Sequence, residues 1–278
     1  MRTTVVVVVL LSGVLHAIWN AITKNHRDQY ASFALLNMGM GIFSWIALPF
    51  VGVAPSQSWP YVGASVCSHI GYELFLMGAY KRGDFSKSYP IARGIAPLLV
   101  SLGGFFFASE HLHPLALVGV VVIVIGITSL AGTWGAGLAA RRATYWALGS
   151  GVAIAFYTVI DGLGVRSAHN SFSFGATLFA IQSTIWVGTV ILRSGFSWWP
   201  TPREASTVIC GGILSMVGYA TVLWAQLHAP FGLVSALRET GVFWAAVIGV
   251  FFFKDGKMAR IILPAIAVCS GIVLLSLA

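Results

Sequence analysis

Apolar residues dominate this chain in long runs that short polar segments separate. Each run is about 20 residues long, which is the length that an α-helix needs to cross the hydrocarbon core of a bilayer. The runs fall near 3–23, 30–52, 59–80, 88–108, 114–134, 144–165, 172–192, 206–227, 231–253 and 259–277. The pattern predicts an all-α integral membrane protein with ten transmembrane helices and short loops.

Weak internal matches connect the two halves of the chain. In order they are Gly71-Tyr72 with Gly218-Tyr219 at an offset of 147, Phe105–Phe107 with Phe251–Phe253 at 146, and Gly126-Ile127 with Gly271-Ile272 at 145. Their order and slowly drifting offset predict two five-helix repeats, at 1–135 and 144–278. Because five is odd, the second repeat enters the membrane in the opposite orientation, an arrangement found in many secondary transporters.

The composition supports lipid as the surrounding solvent. The chain is 58% hydrophobic and 9% charged, whereas a soluble domain carries roughly 25% charged residues. The net charge of +8 does not indicate nucleic-acid binding, because no basic stripe with interleaved aromatic residues accompanies it. Lys and Arg of a membrane protein instead collect in cytoplasmic loops.

The basic residues lie almost entirely in the odd-numbered loops. These loops carry Lys24, Arg27, Lys81, Arg82, Lys87, Arg141, Arg142, Arg193, Arg203, Lys254, Lys257 and Arg260, and the opposite side has only Arg2 and Arg166. The positive-inside rule therefore predicts cytoplasmic odd-numbered loops and both termini outside.

No pattern of an enzyme or of a bound cofactor is present. The three cysteines, Cys67, Cys210 and Cys269, lie in apolar runs without metal-ligand or disulfide spacing. There is also no Gly-rich phosphate loop and no HExxH motif. We therefore expect no catalytic site, no metal and no cofactor.

Charged residues inside the predicted helices are the main functional signal. A charge at the bilayer centre costs about 2.5–3.5 kcal/mol on insertion scales, so such residues usually face a cavity. Five charged side chains occur in these segments: Glu73, Arg93, Asp161, Arg238 and Glu239. Together they predict a water-filled cavity.

Polar and aromatic residues accompany these charges at helical spacing. His16, Trp19 and Asn20 share one face of the first helix, and His69, Tyr72 and Glu73 share one face of the third. The predicted substrate-binding set is His16, Trp19, Asn20, Tyr72, Glu73, Tyr89, Arg93, Tyr157, Asp161, Tyr219, Arg238 and Glu239. The two arginines would hold an anionic group. Glu73, Asp161 and Glu239 would hold an amine, neutralise the arginines or carry a coupling proton.

Structural roles are the alternative for several of these residues. Arg93 would then form an ion pair with Glu73 or Asp161, and His16 would bind a backbone carbonyl. Tyr89 and Tyr219 would be packing aromatics. Arg238 and Glu239 are adjacent, so they point about 100° apart on a helix and cannot pair with each other.

Several motifs resemble one transporter family. The stretch from Gly83 to Gly94 (GDFSKSYPIARG) and the segment from Phe105 to Glu110 (FFFASE) resemble the EamA-type branch of the drug/metabolite transporter superfamily. His16–Asn20 (HAIWN) and Ala236–Gly241 (ALRETG) resemble a bacterial subgroup of that branch. Tyr89, Ala92 and Gly94 are also similar to a motif of small multidrug resistance proteins. Those proteins carry a carboxylate in the first helix, whereas this chain has His16 and Asn20, which argues against simple cation/proton antiport.

The resemblance implies an alternating-access transporter of small metabolites in the bacterial inner membrane. It also implies cytoplasmic termini, the reverse of what the positive-inside rule predicts, so the sidedness of the termini stays open. The mixed charges favour a small polar or zwitterionic substrate, such as an amino acid or related amine. We expect an exporter, although the charges themselves give no direction of transport. The alternatives are a multidrug or organic-cation exporter and a flippase for a lipid-linked substrate. The expected partners are the small-molecule substrate, the lipid bilayer and a coupling proton. A duplicated repeat completes the fold in one chain, which favours a monomer over a dimer.

Overall fold

The computed structural model describes residues 3–24, 29–80, 85–129, 138–194, 201–244 and 259–277. Within these ranges the chain is helical and contains no β-strand. The α-helices are α1 Thr3–Lys24, α2 Gln29–Val51, α3 Trp59–Tyr80, α4 Phe85–Ala108, α5 Pro114–Ser129, α6 Leu138–Ala168, α7 Ser171–Ser194, α8 Pro202–Gln226, α9 Phe231–Glu239 and α10 Ala259–Leu277. A short 3₁₀ turn, Ser56–Ser58, precedes α3.

Four of the described helices are long and apolar enough to cross a bilayer. The segments are Ser32–Val51, Thr144–Ala168, Ser171–Arg193 and Ala205–Gln226. Large apolar side chains also face outward, among them Phe50 at 85% exposure and Leu192 at 89%. A surface of this kind is stable against lipid tails and fits a helical membrane protein.

Helix positions agree with the hydropathy pattern, with two differences. Helix α6 begins at Leu138 rather than at 144 and therefore includes Arg142 in its first turns. The predicted run 231–253 is interrupted, because α9 ends at Glu239 with a turn at Thr240. Helical residues then resume at 241–244, where the described segment ends.

The turn after α9 lies at a close helix crossing. A Cβ atom on Gly241 would lie 2.6 Å from the carbonyl oxygen of Gly13 in α1, so only glycine allows this approach. The Thr240 hydroxyl donates a 2.6 Å hydrogen bond to the carbonyl of Leu237, which satisfies one carbonyl at the helix end. The crossing brings the last turn of α9 against α1.

The helix contacts follow a repeating scheme. Helices α2, α4 and α5 pack against α7, α9 and α10, respectively, each partner lying five helices later in the chain. Six further contacts form three matched pairs: α3 with α6 and α8 with α1, α4 with α6 and α9 with α1, α2 with α8 and α7 with α3. Within each pair, one contact becomes the other when five is added to one helix number and subtracted from the other.

Candidate functional site

Most of the predicted site residues lie in a buried polar region between helices α1, α3, α4, α6, α8 and α9. Glu73, Arg93, Tyr157, Asp161, Tyr219, Arg238 and Glu239 are all buried, and His16 and Tyr72 are partly buried. The side chains of Trp19, Asn20 and Tyr89 lie outside the described part of the structure, although α1 and α4 include their backbones. The described residues form separate hydrogen-bonded groups.

The first group, which we call the arginine group, consists of Arg93, Glu239, His16 and Tyr72. Arg93 Nη1 donates to both carboxylate oxygens of Glu239, at 3.0 and 3.3 Å. Arg93 Nη2 lies 2.6 Å from His16 Nε2 and 3.4 Å from the Tyr72 hydroxyl. Since a guanidinium has no acceptor, His16 Nε2 must accept this hydrogen bond, which places the ring proton on Nδ1. The partner of Arg93 is therefore Glu239, rather than Glu73 or Asp161 as considered from the sequence.

The second group, the aspartate group, consists of Asp161, Ser65, His69 and Tyr219. Asp161 is fully buried on α6 and accepts hydrogen bonds from the Ser65 hydroxyl and, at 2.5 Å, from the Tyr219 hydroxyl. His69 Nε2 lies 3.1 Å from Asp161 Oδ2. Since the oxygen of a carboxylate accepts hydrogen bonds, His69 Nε2 is the donor in this contact. The group connects α3, α6 and α8.

Stacked aromatic rings join the two groups. The His69 ring lies 4.0 Å from the Tyr157 ring at an interplanar angle of 21°. Tyr72 and Tyr219 contact Tyr157 edge-on at 5.6 and 6.2 Å between ring centroids, and Phe179 contacts His69 and Tyr219 edge-on. Edge-on and offset contacts of this kind are the favourable geometries for aromatic pairs. They form a continuous aromatic wall beside the charged residues.

Arg238 differs from Arg93 in having no hydrogen-bonded acid partner among the described residues. Its side chain is 7% exposed, and its guanidinium makes no hydrogen bond to any residue that the structure describes. The guanidinium carbon lies 4.8 Å from the centre of the Tyr219 ring, a cation–π contact. Arg238 lines a small cavity together with Ser12, His16, Leu214, Ser215, Gly218 and Tyr219. A cationic donor therefore faces this cavity.

Glu73 belongs to a third group, the glutamate group, with Asn37 on α2 and Gln182 on α7. Asn37 Nδ2 donates to both Glu73 oxygens, at 3.0 and 3.2 Å. Gln182 Nε2 lies 3.4 Å from Glu73 Oε1 and 3.4 Å from Asn37 Oδ1. All three side chains are buried. Two neutral amides therefore hold this carboxylate.

Ser65, Asn37 and Gln182 were not among the residues predicted from the sequence. They are uncharged, and burying an uncharged side chain in an apolar run costs less free energy than burying a charge. Their positions in the sequence therefore gave no strong signal of a functional site. One signal was available for Ser65, since it lies one helical turn before His69 on the same face of α3.

One end of the helix bundle is closed by polar contacts, which we call the end latch. Glu110, in the turn after α4, accepts hydrogen bonds from Arg166 Nη2 at 2.5 Å and from the backbone N–H of Phe231 at 2.8 Å. Arg166 also donates to the carbonyl of Gln226 at 3.1 Å and lies 4.0 Å from the centre of the Phe231 ring. The latch ties the ends of α4, α6 and α8 to the first turn of α9, where a carboxylate is electrostatically favoured.

We expect Glu110→Gln to weaken the end latch. Glutamine keeps a carbonyl oxygen for the N–H of Phe231 but loses the charge that faces Arg166. The Arg166 side chain is 34% exposed, so the loss should be small, about 1 kcal/mol of unfolding free energy. Thermal unfolding of the detergent-solubilised protein measures it, with the exposed Arg142→Gln as the control. Equal melting temperatures of Glu110→Gln and the control would show that the end latch does not stabilise the protein.

In the described ranges, no three His, Cys, Asp or Glu side chains are grouped in a way that could hold a metal ion. The polar region offers instead a cavity-facing guanidinium, three paired or hydrogen-bonded carboxylates and an aromatic wall. Such an arrangement can bind ions and polar molecules by charge and hydrogen bonds.

Comparisons with known proteins identify the fold but no family. No known family profile matches the chain, and no curated protein matches it. Several solved structures match the chain, among them a crystal structure that is similar over the whole length, with a TM-score of 0.83 and 18% sequence identity. The similarity covers 100% of this chain and 99% of the other. The chain thus shares its complete helical fold with a protein of known structure.

Proposed function

We propose that this protein is a secondary transporter of small polar or zwitterionic metabolites, such as amino acids or related amines. It works by alternating access around the buried polar region and resides in the bacterial inner membrane. The observation that carries the proposal is Arg238, a buried guanidinium that faces a cavity without an acid partner among the described residues. Transfer of such a charge out of water is costly unless an anion compensates it.

The helix packing supports the alternating-access part of the proposal. Most of the main contacts between described helices have a counterpart five helices away in the chain, as expected for two five-helix repeats, 1–135 and 144–278. Ten transmembrane helices arranged in this way form an inverted repeat. The two halves can then exchange conformations around a shared site and expose it to either side of the membrane.

The surroundings of Arg238 support a zwitterionic substrate. Its guanidinium lies on the ring of Tyr219, and the hydroxyl of that same tyrosine is bound to Asp161. A cationic group and an acidic group are thus separated by a single tyrosine side chain. A guanidinium suits a carboxylate, and the tyrosine-bound Asp161 suits an ammonium group. Arg93 is engaged by Glu239, so we assign it a role in holding the helices around the site.

A ligand-stabilisation screen tests the proposal. A ligand that binds the folded state raises the melting temperature by mass action, so the purified protein is heated with amino acids, amines, phosphonates or quaternary cations. We expect stabilisation by zwitterions or small anions. A protein that no polar ligand stabilises, and that transports none of them in proteoliposomes, would not be a metabolite transporter.

Removing the charge of Arg238 should weaken this stabilisation. Arg238→Gln keeps much of the side-chain length but loses the charged donors, and hydrogen bonds to charged groups contribute about 1.5–3 kcal/mol. We therefore expect a stabilising ligand to bind about 10- to 100-fold more weakly. The matched control is Arg142→Gln, on the exposed start of α6. Unchanged affinity in Arg238→Gln would refute the assignment of Arg238 as the anion contact.

An organic-cation exporter is the second candidate, and a specific observation favours it. The aromatic wall lies beside Asp161, and aromatic faces together with a carboxylate attract organic cations. Stabilisation by quaternary cations alone, unaffected in Arg238→Gln, would select this function over metabolite transport.

A further inference from the structure

We propose that Glu73, held between Asn37 and Gln182, is the proton-binding site that couples transport to the proton gradient. The inference rests on the proposed transport function and adds a second site, separate from the cavity that Arg238 faces. The reaction is a reversible protonation: a proton from water bonds to a Glu73 carboxylate oxygen and later returns to water on the other side.

The carboxylate of Glu73 is the one described buried carboxylate with neither a cation nor an imidazole beside it. Glu239 pairs with Arg93, Glu110 pairs with Arg166, and Asp161 has His69. Glu73 is 5% exposed and has only side-chain amides as described partners. A buried charge without a counter-ion is costly, so the site gains from binding a proton.

The amide pair can satisfy Glu73 in either protonation state. As an anion, Glu73 accepts from Asn37 Nδ2 and Gln182 Nε2. The other Gln182 side-chain atom, Oε1, is buried and has no hydrogen-bond partner among the described residues. Rotation of the amide by half a turn exchanges its N–H₂ and oxygen. Oε1 then accepts a hydrogen bond from protonated Glu73.

The other titratable groups around Glu73 are engaged elsewhere. On α3, His69 contacts Asp161 and Tyr72 contacts Arg93. Across the interface, Asp161 of α6 accepts three hydrogen bonds, Tyr157 stacks on His69, and Arg93 of α4 is bound to Glu239. Among the described residues of α2 and α7, the side chains that contact Glu73 are the amides of Asn37 and Gln182. Proton exchange at Glu73 is therefore separable from the other groups.

The position of the glutamate group can couple protonation of Glu73 to the movement of the two halves of the chain. Asn37 and Gln182 lie on α2 and α7, two helices that pack against each other from opposite halves of the chain. Their separation of 145 residues equals the offset of the repeat near Gly126 and Gly271. A movement of one half against the other therefore separates the two amides and changes the partners of Glu73. Glu73 also shares α3 with His69 and Tyr72, which contact the aspartate and arginine groups.

Infrared spectroscopy of the purified protein detects the proton without any substrate. A protonated carboxyl group gives a C=O stretching band that shifts in D₂O and disappears on ionisation. We expect such a band in the wild-type protein, lost as the pH rises and missing in Glu73→Gln. Glu110→Gln is the matched control, because an arginine-paired carboxylate is ionised and its removal leaves the band. A band that persists unchanged in Glu73→Gln overturns the proposal.

Two further measurements test whether Glu73 is the protonated group and whether the site binds a proton rather than sodium. Glu73→Asp keeps a titratable group and should shift the band rather than remove it, which tests the site even if Glu73→Gln folds poorly. If sodium chloride, but not choline chloride, stabilises the wild-type protein and not Glu73→Gln, the site binds sodium and the proton assignment is wrong.

Transport in proteoliposomes tests the coupling itself. With a ligand found by the stabilisation screen, Glu73→Gln should retain exchange of labelled for unlabelled substrate but lose accumulation driven by a pH gradient. Retained accumulation would show that Glu73 does not couple transport to protons. Failure of the screen to find any ligand would count against the transport function, whereas the infrared result would still decide whether Glu73 binds a proton.

Discussion

Arg93→Met should destabilise the folded protein strongly, and adding Glu239→Gln should restore much of the loss. The single change leaves the Glu239 carboxylate, 1% exposed, without its guanidinium partner. Breaking one side of a buried ion pair costs about 3–5 kcal/mol, whereas replacing both charges is often nearly neutral. Thermal unfolding in detergent measures both effects.

The control for this cycle is Arg142→Met, which removes an arginine from the exposed start of α6. It should melt like the wild-type protein. If Arg93→Met also melts like wild type, the pair contributes nothing to stability. If the double variant is less stable than the sum of the single changes predicts, Glu239 and Arg93 do not act as a pair.

This cycle also separates a structural role of Arg93 from a substrate-binding role. A double variant that folds and still binds the stabilising ligand places Arg93 outside the substrate contacts. If the double variant folds but binds no ligand, Arg93 holds an anionic group of the substrate together with Arg238, as the sequence predicted.

The helix positions were predictable because hydropathy acts over whole segments. A run of about 20 apolar residues between polar breaks leaves few alternatives to a helix, and α3 at Trp59–Tyr80 coincides with the predicted run. The break after Glu239 was not predictable. It occupies one residue inside a continuous apolar run, next to a crossing between α1 and α9 that depends on glycines distant in sequence.

The charged site residues were predictable for an energetic reason, but their partners were not. A charge in an apolar segment is costly wherever its partner lies, which marks Arg93, Asp161 and Arg238. Which acid reaches Arg93 depends on how α4 packs against α9, and these helices lie 146 residues apart at the contact. Helical periodicity shows which residues share a face, not which faces of different helices meet.

Asp161→Ala should have the largest effect of any single substitution in the site. The Asp161 carboxylate is fully buried and accepts hydrogen bonds from Ser65, His69 and Tyr219. Alanine leaves these three donors without their acceptor, and each unsatisfied buried donor costs about 1–3 kcal/mol. We therefore expect a loss of at least about 3 kcal/mol in the free energy of unfolding.

Ligand binding should fall together with stability in Asp161→Ala. The hydroxyl of Tyr219 is oriented by Asp161, and the ring of Tyr219 carries the guanidinium of Arg238. Loss of the carboxylate thus releases the aromatic ring that positions the proposed anion contact. The measurement is the melting temperature with and without the stabilising ligand, in the wild-type protein and in the variant.

Ser65→Ala is the matched control, since it removes one donor and leaves Asp161 with His69 and Tyr219. It should cost about 1 kcal/mol and preserve the ligand-induced shift, because the orientation of Tyr219 does not depend on the Ser65 hydroxyl. Equal stability of Asp161→Ala and Ser65→Ala would mean that Asp161 does not organise the three donors. An unchanged ligand shift in a folded Asp161→Ala would separate Asp161 from substrate binding and leave Arg238 to hold the substrate without it.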